Sequence, residues 1–327
     1  MDNLMIFSGS SHVDFAEKVA AYCGVPLGAR EITQFSNENL FPKFNEPVVD
    51  KDVFVIQTQS KQVHMHLFEL FIMMDILKYA PAKRITAVFP YMPYVRSDKE
   101  DQSGISITAR MMADLITHCG GNRALFMDLH SHQVKGFFRI PVDHLFVKPV
   151  FLHDLLKEDV SNCVAVAADA GEGKHIGPFG EQLKIPLAIV DKRRTGNDEK
   201  PKPVNLVGSV DGKIAIVFDD EIASGATLVE AADFLCERGA KEVWAYITHG
   251  VLSGKAVEKL AASSAITRLV ITDTIPLPDS KKLPKIRQIS VAHVFGEAIK
   301  LIHVGKPIQP LLDLETYREI FSRRGCL

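Results

Sequence analysis

The sequence predicts an α/β chain with two mainly parallel sheets, each flanked by helices and related by internal duplication. Three observations carry this. Short β-branched or aromatic runs alternate with longer helical patterns along the chain, and such alternation builds parallel sheets covered by helices. A length of 327 residues suits two domains of similar size. The windows 108–130 and 227–249 align without a gap and share Thr, Ala, Asp, Gly and a final His. Each window reads as a helix opening at threonine, a glycine stop, a strand, and a histidine at the strand's carboxyl end.

In chain order, DVFVIQT (52–58) reads as a strand, HLFELFIMMDILKYA (66–80) as a helix and RITAVFP (84–90) as a strand. ITARMMADLITHCG (107–120) follows as a helix and RALFMDLH (123–130) as a strand. The second half repeats the grammar with CVAVAAD (163–169), PLAIVDK (186–192) and KIAIVFDD (213–220), then the helix ATLVEAADFLCERGA (226–240) and the strand EVWAYITHG (242–250). The boundary is expected near residue 145, giving domains 1–145 and 146–327, with the segment around 290–310 packing back on one half.

Hydrophobic content of 46% and charge of 24% describe an ordinary globular chain. The net charge is −2, from 38 basic and 40 acidic side chains, so no basic surplus points to nucleic acid or an anionic membrane. Any polyanion it binds must be met locally. The five cysteines are scattered without a C-x-x-C pair, which suits reduced thiols and a cytoplasmic protein. No apolar run reaches the roughly 18 residues that a membrane helix requires.

IVFDDEIASGATL (216–228) carries the first functional signal. Open α/β sheets bind ligands at the carboxyl ends of their strands. Ser224, Gly225, Ala226 and Thr227 are small enough for backbone N–H groups to approach an anion at a helix N-terminus. Asp219 and Asp220 suit sugar hydroxyls or a metal beside it. Alone, the loop reads equally well as a tight strand-to-helix turn; the acidic pair tilts it toward a phosphorylated sugar.

DDEIASGAT resembles the ribose-phosphate loop of phosphoribosyltransferase-fold proteins. FMDLHSHQVKGFFRIPVDHLF (126–146), FPYMPYVRSDK (89–99), AADAGEGKH (167–175), PLAIVDKRR (186–194) and THGVLSGKAVEKL (248–260) narrow the resemblance to the ribose-phosphate pyrophosphokinases, in order and over almost the whole chain. The resemblance implies two phosphoribosyltransferase-type domains, an N-terminal one for ATP and a C-terminal one for ribose 5-phosphate. It also implies transfer of the β,γ-diphosphoryl group of Mg-ATP to the anomeric hydroxyl, giving PRPP and AMP. Such chemistry rests on positioning and charge neutralisation.

Residue by residue, the resemblance implies Mg2+ at His130 and Asp169, and catalytic cations at Lys192 and Arg194. Arg194 also touches ribose 5-phosphate, together with Asp219, Asp220, Ala223, Ser224, Gly225, Ala226 and Thr227. Gly171, Gly173 and Lys174 form a pyrophosphate loop. ATP falls to Phe35, Asn37, Asn39, Arg96, Ser97 and Asp98. A homo-oligomer built from dimers, up to a hexamer, is implied as well.

The departures matter. Asn37 and Asn39 replace the carboxylates of the family's F-x-D-G-E, Ser97 its usual glutamine, and Glu172 a glycine. Ala223 stands where many members have aspartate. Glu100, Asp101, Gln102 and Gly104 replace mostly basic or polar positions, which predicts weak activation by inorganic phosphate. Two other readings stay open: a catalytically silent paralogue that binds synthase subunits, and, further off, a phosphoribosyltransferase that consumes PRPP.

Overall fold

A computed structural model describes residues 3–167, 173–193 and 202–322; of residues 173–175, 192–193 and 202–204 it describes the backbone alone. The chain divides into two compact units: Met1–Phe146 with Thr274–Pro276 and Ser290–Leu327, and Val147–Asp273 with Leu277–Ile289. The first boundary falls at Phe146, and the chain returns to the first unit at Thr274–Pro276 and again from Ser290 onward.

The first unit holds β1 (Leu4–Ser8), β4 (Asp52–Ile56), β5 (Arg84–Phe89), β6 (Arg123–Met127) and β7 (Val142–Leu145), all parallel and side by side in that order. Helix α1 (Val13–Cys23) follows β1, α2 (Val63–Tyr79) joins β4 to β5, and α3 (Thr108–His118) joins β5 to β6. A separate antiparallel hairpin of β2 (Arg30–Gln34) and β3 (Leu40–Phe44) lies between α1 and β4 in sequence. The sheet strands are buried on both faces, hence their continuous apolar runs. Phe7, Val53, Val55, Leu70, Met73, Ala87, Phe89 and Phe126 form the centre of this core.

The second unit opens with α4 (Lys148–Leu155). Its sheet runs β10 (Lys202–Val207), β9 (Leu187–Arg193), β8 (Cys163–Ala167), β11 (Ile214–Ile222), β12 (Glu242–Gly250), β13 (Ile266–Thr272), β14 (Ile286–Ile289). Only β10 is antiparallel to its neighbour. Helix α5 (Gly173–Leu183) joins β8 to β9, α6 (Ala226–Glu237) joins β11 to β12, and α7 (Ala256–Ala262) joins β12 to β13.

Strand order settles how the halves correspond. The series β1-β4-β5-β6-β7 matches β8-β11-β12-β13-β14, and the connections agree: α1 with α5, α2 with α6, α3 with α7, and the β2–β3 hairpin with the β9–β10 hairpin. The pairing of 108–130 with 227–249 is therefore corrected. It matches α3–β6 to α6–β12, one βα unit out of step, because every βα unit shares the same helix, glycine and strand grammar. His249 also sits inside β12, whereas His130 lies beyond the end of β6.

The segment from residue 290 forms α8 (Ala292–His303) and α9 (Leu314–Ser322). Helix α8 packs closely on α1: a Cβ on Gly296 would fall 2.5 Å from the Tyr22 ring, and Tyr22 donates to Glu297 at 2.9 Å. Helix α9 buries Leu314, Tyr317 and Phe321. Phe321 meets the rings of Tyr22 and His293, and Tyr317 is bonded to His293 at 2.8 Å.

Candidate functional site

In the second unit the candidate sugar-phosphate residues sit where β11 hands over to α6. Strand β11 extends to Ile222, so Asp219 and Asp220 are its sixth and seventh residues rather than its end, both half-buried. The Asp219 carboxylate accepts the Asp220 N–H at 2.8 Å, which fixes one carboxylate oxygen and its direction. The loop then rises to Gly225, left-handed at φ 72°, as the residue capping α6. Glycine is the residue that adopts this conformation at least expense.

No side chain caps the helix, so its first N–H groups remain available to an anion. Ser224 and Thr227 are exposed beside them. The neighbouring loop holds the cradle in shape: Leu252 N–H donates to the Ile222 carbonyl at 3.0 Å and Ser253 N–H to that of Ala223 at 2.8 Å. These two residues were not singled out from the sequence, although THGVLSG was among the segments carrying the resemblance.

Lys192 lies on β9, paired with Pro203 of β10. Gly173 opens α5 and Lys174 follows it. Asp169, Gly171 and Arg194 fall outside the described residues.

In the first unit, Phe35, Asn37 and Asn39 occupy the turn of the β2–β3 hairpin, an element not read from the sequence. Phe35 N–H donates to the Asn39 carbonyl at 2.9 Å, and Asn39 N–H to the Asn37 side-chain oxygen at 3.2 Å. The Asn37 amide thus acts as the acceptor that stiffens the turn, a role that aspartate fills equally well. Phe35 is 50% exposed, its face open for stacking.

Arg96, Ser97 and Asp98 lie in the loop after β5, at the carboxyl end of the sheet, with Arg96 exposed. Ser97 donates to the Ser106 carbonyl at 3.2 Å and its own carbonyl accepts from Ala109 N–H at 3.2 Å, which ties the loop to the start of α3. Residues 99–106, with Glu100 and Asp101, are all exposed. His130 stands exposed on the loop after β6. That loop is anchored from β7: Asp128 N–H donates to the Leu145 carbonyl at 3.0 Å, and Leu129 N–H to His144 Nε2 at 2.9 Å. His132 instead packs among the rings of His144 and Phe146. Among the described residues no group of three or more His, Cys, Asp or Glu side chains is placed to hold a metal.

The comparisons decide the family. A family model for the N-terminal domain of ribose phosphate pyrophosphokinase matches residues 4–120. A second model, for the phosphoribosyl synthetase-associated domain, matches residues 193–312. The chain is 43% identical over 314 residues to a ribose-phosphate pyrophosphokinase of Caldanaerobacter subterraneus, covering 95% of this chain and 98% of that protein. The chain belongs to the ribose-phosphate pyrophosphokinase family. A relative of the same name in Clostridium acetobutylicum is 41% identical, over 96% of this chain and 98% of that one. Among solved structures, a phosphoribosylpyrophosphate synthetase from Mycobacterium smegmatis matches with a TM-score of 0.87 and 34% identity, covering 93% of this chain and 99% of the other. The family thus explains both sheets and the duplicated arrangement.

Proposed function

We propose that this pyrophosphokinase-family chain makes PRPP, transferring the β,γ-diphosphoryl group of ATP to the anomeric hydroxyl of ribose 5-phosphate and releasing AMP. The full-length likeness to ribose-phosphate pyrophosphokinases supports this reading, and one local observation carries it: the uncapped α6 N-terminus under Gly225 with Asp219 and Asp220 alongside. There the 5-phosphate takes backbone N–H groups and the hydroxyls of Ser224 and Thr227, while the carboxylates accept from ribose hydroxyls.

On the same reading, residues 1–145 bind ATP and residues 146–327 bind ribose 5-phosphate. Phe35 stacks on the purine, Asn37 and Asn39 contact its edge, and Arg96, Ser97 and Asp98 meet the rest of the nucleotide. Lys192 and Arg194 neutralise charge on the transferred group. Gly171, Gly173 and Lys174 hold the pyrophosphate, and the like charge of Glu172 weakens that hold.

Mg2+ is the expected ion. An oxygen-preferring cation fits this donor set when most of its positions are filled by phosphate oxygens and water, with His130 and Asp169 at the remainder. Bound there, it would neutralise charge on the transferring phosphoryl oxygens. Scattered cysteines, of which Cys23 and Cys163 are buried, suit a reducing cytoplasm, and no helix among the described residues is long and apolar enough to cross a membrane.

Incubating the protein with Mg-ATP and ribose 5-phosphate should yield AMP and PRPP in equal amounts by chromatography. Lys192→Ala should lower kcat by at least about 100-fold, the scale of removing one group that stabilises transition-state charge. Absence of turnover with any nucleoside triphosphate would favour the silent regulatory subunit, the reading that Asn37, Asn39 and Glu172 keep open.

A further inference from the structure

We propose that the loop between β1 and α1 in the first unit is an oxyanion cradle that the chain fills with its own Glu69 carboxylate. Glu69, on α2, is fully buried at 0% exposure. Its Oε1 accepts the Ser10 N–H at 2.6 Å and a Gln57 side-chain N–H at 2.7 Å, and its Oε2 accepts the Ser10 hydroxyl at 2.6 Å. Among the described residues no cation pairs with it. A buried carboxylate without a counter-ion is expensive unless several donors converge on it. Here two of the three come from Ser10 in a Gly-Ser loop ahead of a helix, the arrangement that elsewhere receives phosphate oxygens, and the third from Gln57 just after β4.

The donors are themselves held in place. The Gln57 Oε1 accepts from Ser11 N–H at 3.2 Å and from the Ser11 hydroxyl, while its amide nitrogen also donates to the His66 carbonyl at 3.2 Å. Thr58 N–H donates to the Ser11 hydroxyl at 3.0 Å. A Cβ on Gly9 would fall 2.3 Å from the Gln57 Oε1, so glycine lets Gln57 lie against this loop.

The duplication gives the feature its meaning. By strand order the β1–α1 loop corresponds to the β8–α5 connection, which contains the proposed pyrophosphate loop; this parallel rests on that reading. Helix α2 corresponds to α6, and both start after a left-handed cap, Gln62 at φ 44° and Gly225 at φ 72°. Counting from Val63 and Ala226, the seventh residue of α2 is Glu69 and that of α6 is Ala232. The second unit therefore has no carboxylate to offer at that position of its helix. In the first unit one side chain, Glu69, closes the β1–α1 loop.

The full-length protein, Glu69→Ala and Glu69→Gln would be melted in sodium formate, sodium phosphate, sodium chloride at equal ionic strength, and formamide. Glu69→Ala should melt lower than the unaltered protein, and formate should recover most of the lost temperature, whereas chloride and formamide should not. Phosphate recovering it as well would mark the cradle as general for oxyanions, and formate alone would mark it as fitted to a carboxylate; both support the proposal. Glu69→Gln should also melt lower. Equal recovery by formamide, no recovery by any anion, an equal gain in the unaltered protein, or a Glu69→Gln variant of undiminished stability would overturn it. If Glu69→Ala folds poorly, refolding yield in formate against formamide gives the same comparison. None of these readings uses turnover, so their failure is separate from failure of the PRPP reaction.

Discussion

Asp154 on α4 shows what a single half-buried side chain contributes. Burial alone would raise its pKa, but hydrogen bonds from Arg287 and Tyr246 and the Arg287 charge outweigh that and hold the carboxyl below its ordinary value near 3.8. Arg287 Nη1 reaches it at 2.8 Å and the Tyr246 hydroxyl at 2.9 Å, while burial and the same carboxylate push the Tyr246 phenol up. A folded-state pKa below the unfolded one stabilises fully above the unfolded value, and that contribution is lost as pH falls through the folded value. Urea denaturation from ~pH 5 to ~pH 2 should therefore show a shallower acid-side loss in Asp154→Asn than in the unaltered protein. Asp154→Ala, which strands the buried Tyr246 hydroxyl, should lose about 2 kcal/mol at neutral pH. Residues of this kind were illegible in the sequence, where nothing marks Asp154 and Arg287 as partners, 133 positions apart. The loop 219–227 was legible as a strand-to-helix turn because its signals are local: Asp219 and Asp220, the small residues Ala223 to Thr227 and a helix start, all contiguous.

The hairpins are the lesson at the element scale. Strands β4, β5, β6, β8, β9, β11 and β12 and helices α2, α3 and α6 follow from uninterrupted periodicity. The β2–β3 hairpin does not, because its five-residue strands are half exposed and mix charge with apolar positions. Yet it carries Phe35, Asn37 and Asn39, and by strand order it corresponds to the β9–β10 hairpin bearing Lys192. On the proposed function, one insertion point thus serves nucleotide recognition in one unit and diphosphoryl transfer in the other. Helix α9 is a second case. DLETYREIFSRRGCL had no assigned role, but Phe321 is 0% exposed among aromatic rings of α1 and α8. Phe321→Ala should destabilise the first unit by about 3–5 kcal/mol, read as a lower urea midpoint with an unchanged m-value; a loss within about 0.5 kcal/mol, the range of ordinary surface changes, would show α9 to be dispensable.

For the molecule as a whole, we propose the homo-oligomer that the family resemblance implies, and exposed rings motivate it. Phe41 and Phe68 are 55 and 65% exposed within the first unit, and Phe68 lines a groove of about 690 Å³ where Leu40, Met65 and Ile72 alternate with Gln34, Glu38, Gln62 and His64. Apolar area of this kind is covered in stable assemblies. Light scattering should give a mass of several copies, with Phe68→Ser shifted toward smaller species; a monomer at working concentration would refute the assembly. By itself the sequence determined the alternation of strands and helices, the place of the loop at 219–227 between a strand and a helix, and the family resemblance, because each is written in contiguous residues. Only the tertiary structure decided which repeat matches which and what closes the first unit's loop. Strand order is a property of the hydrogen-bond ladder, and Glu69 meets Ser10 across 59 positions, a contact that exists only once the sheet has brought β1 and β4 side by side.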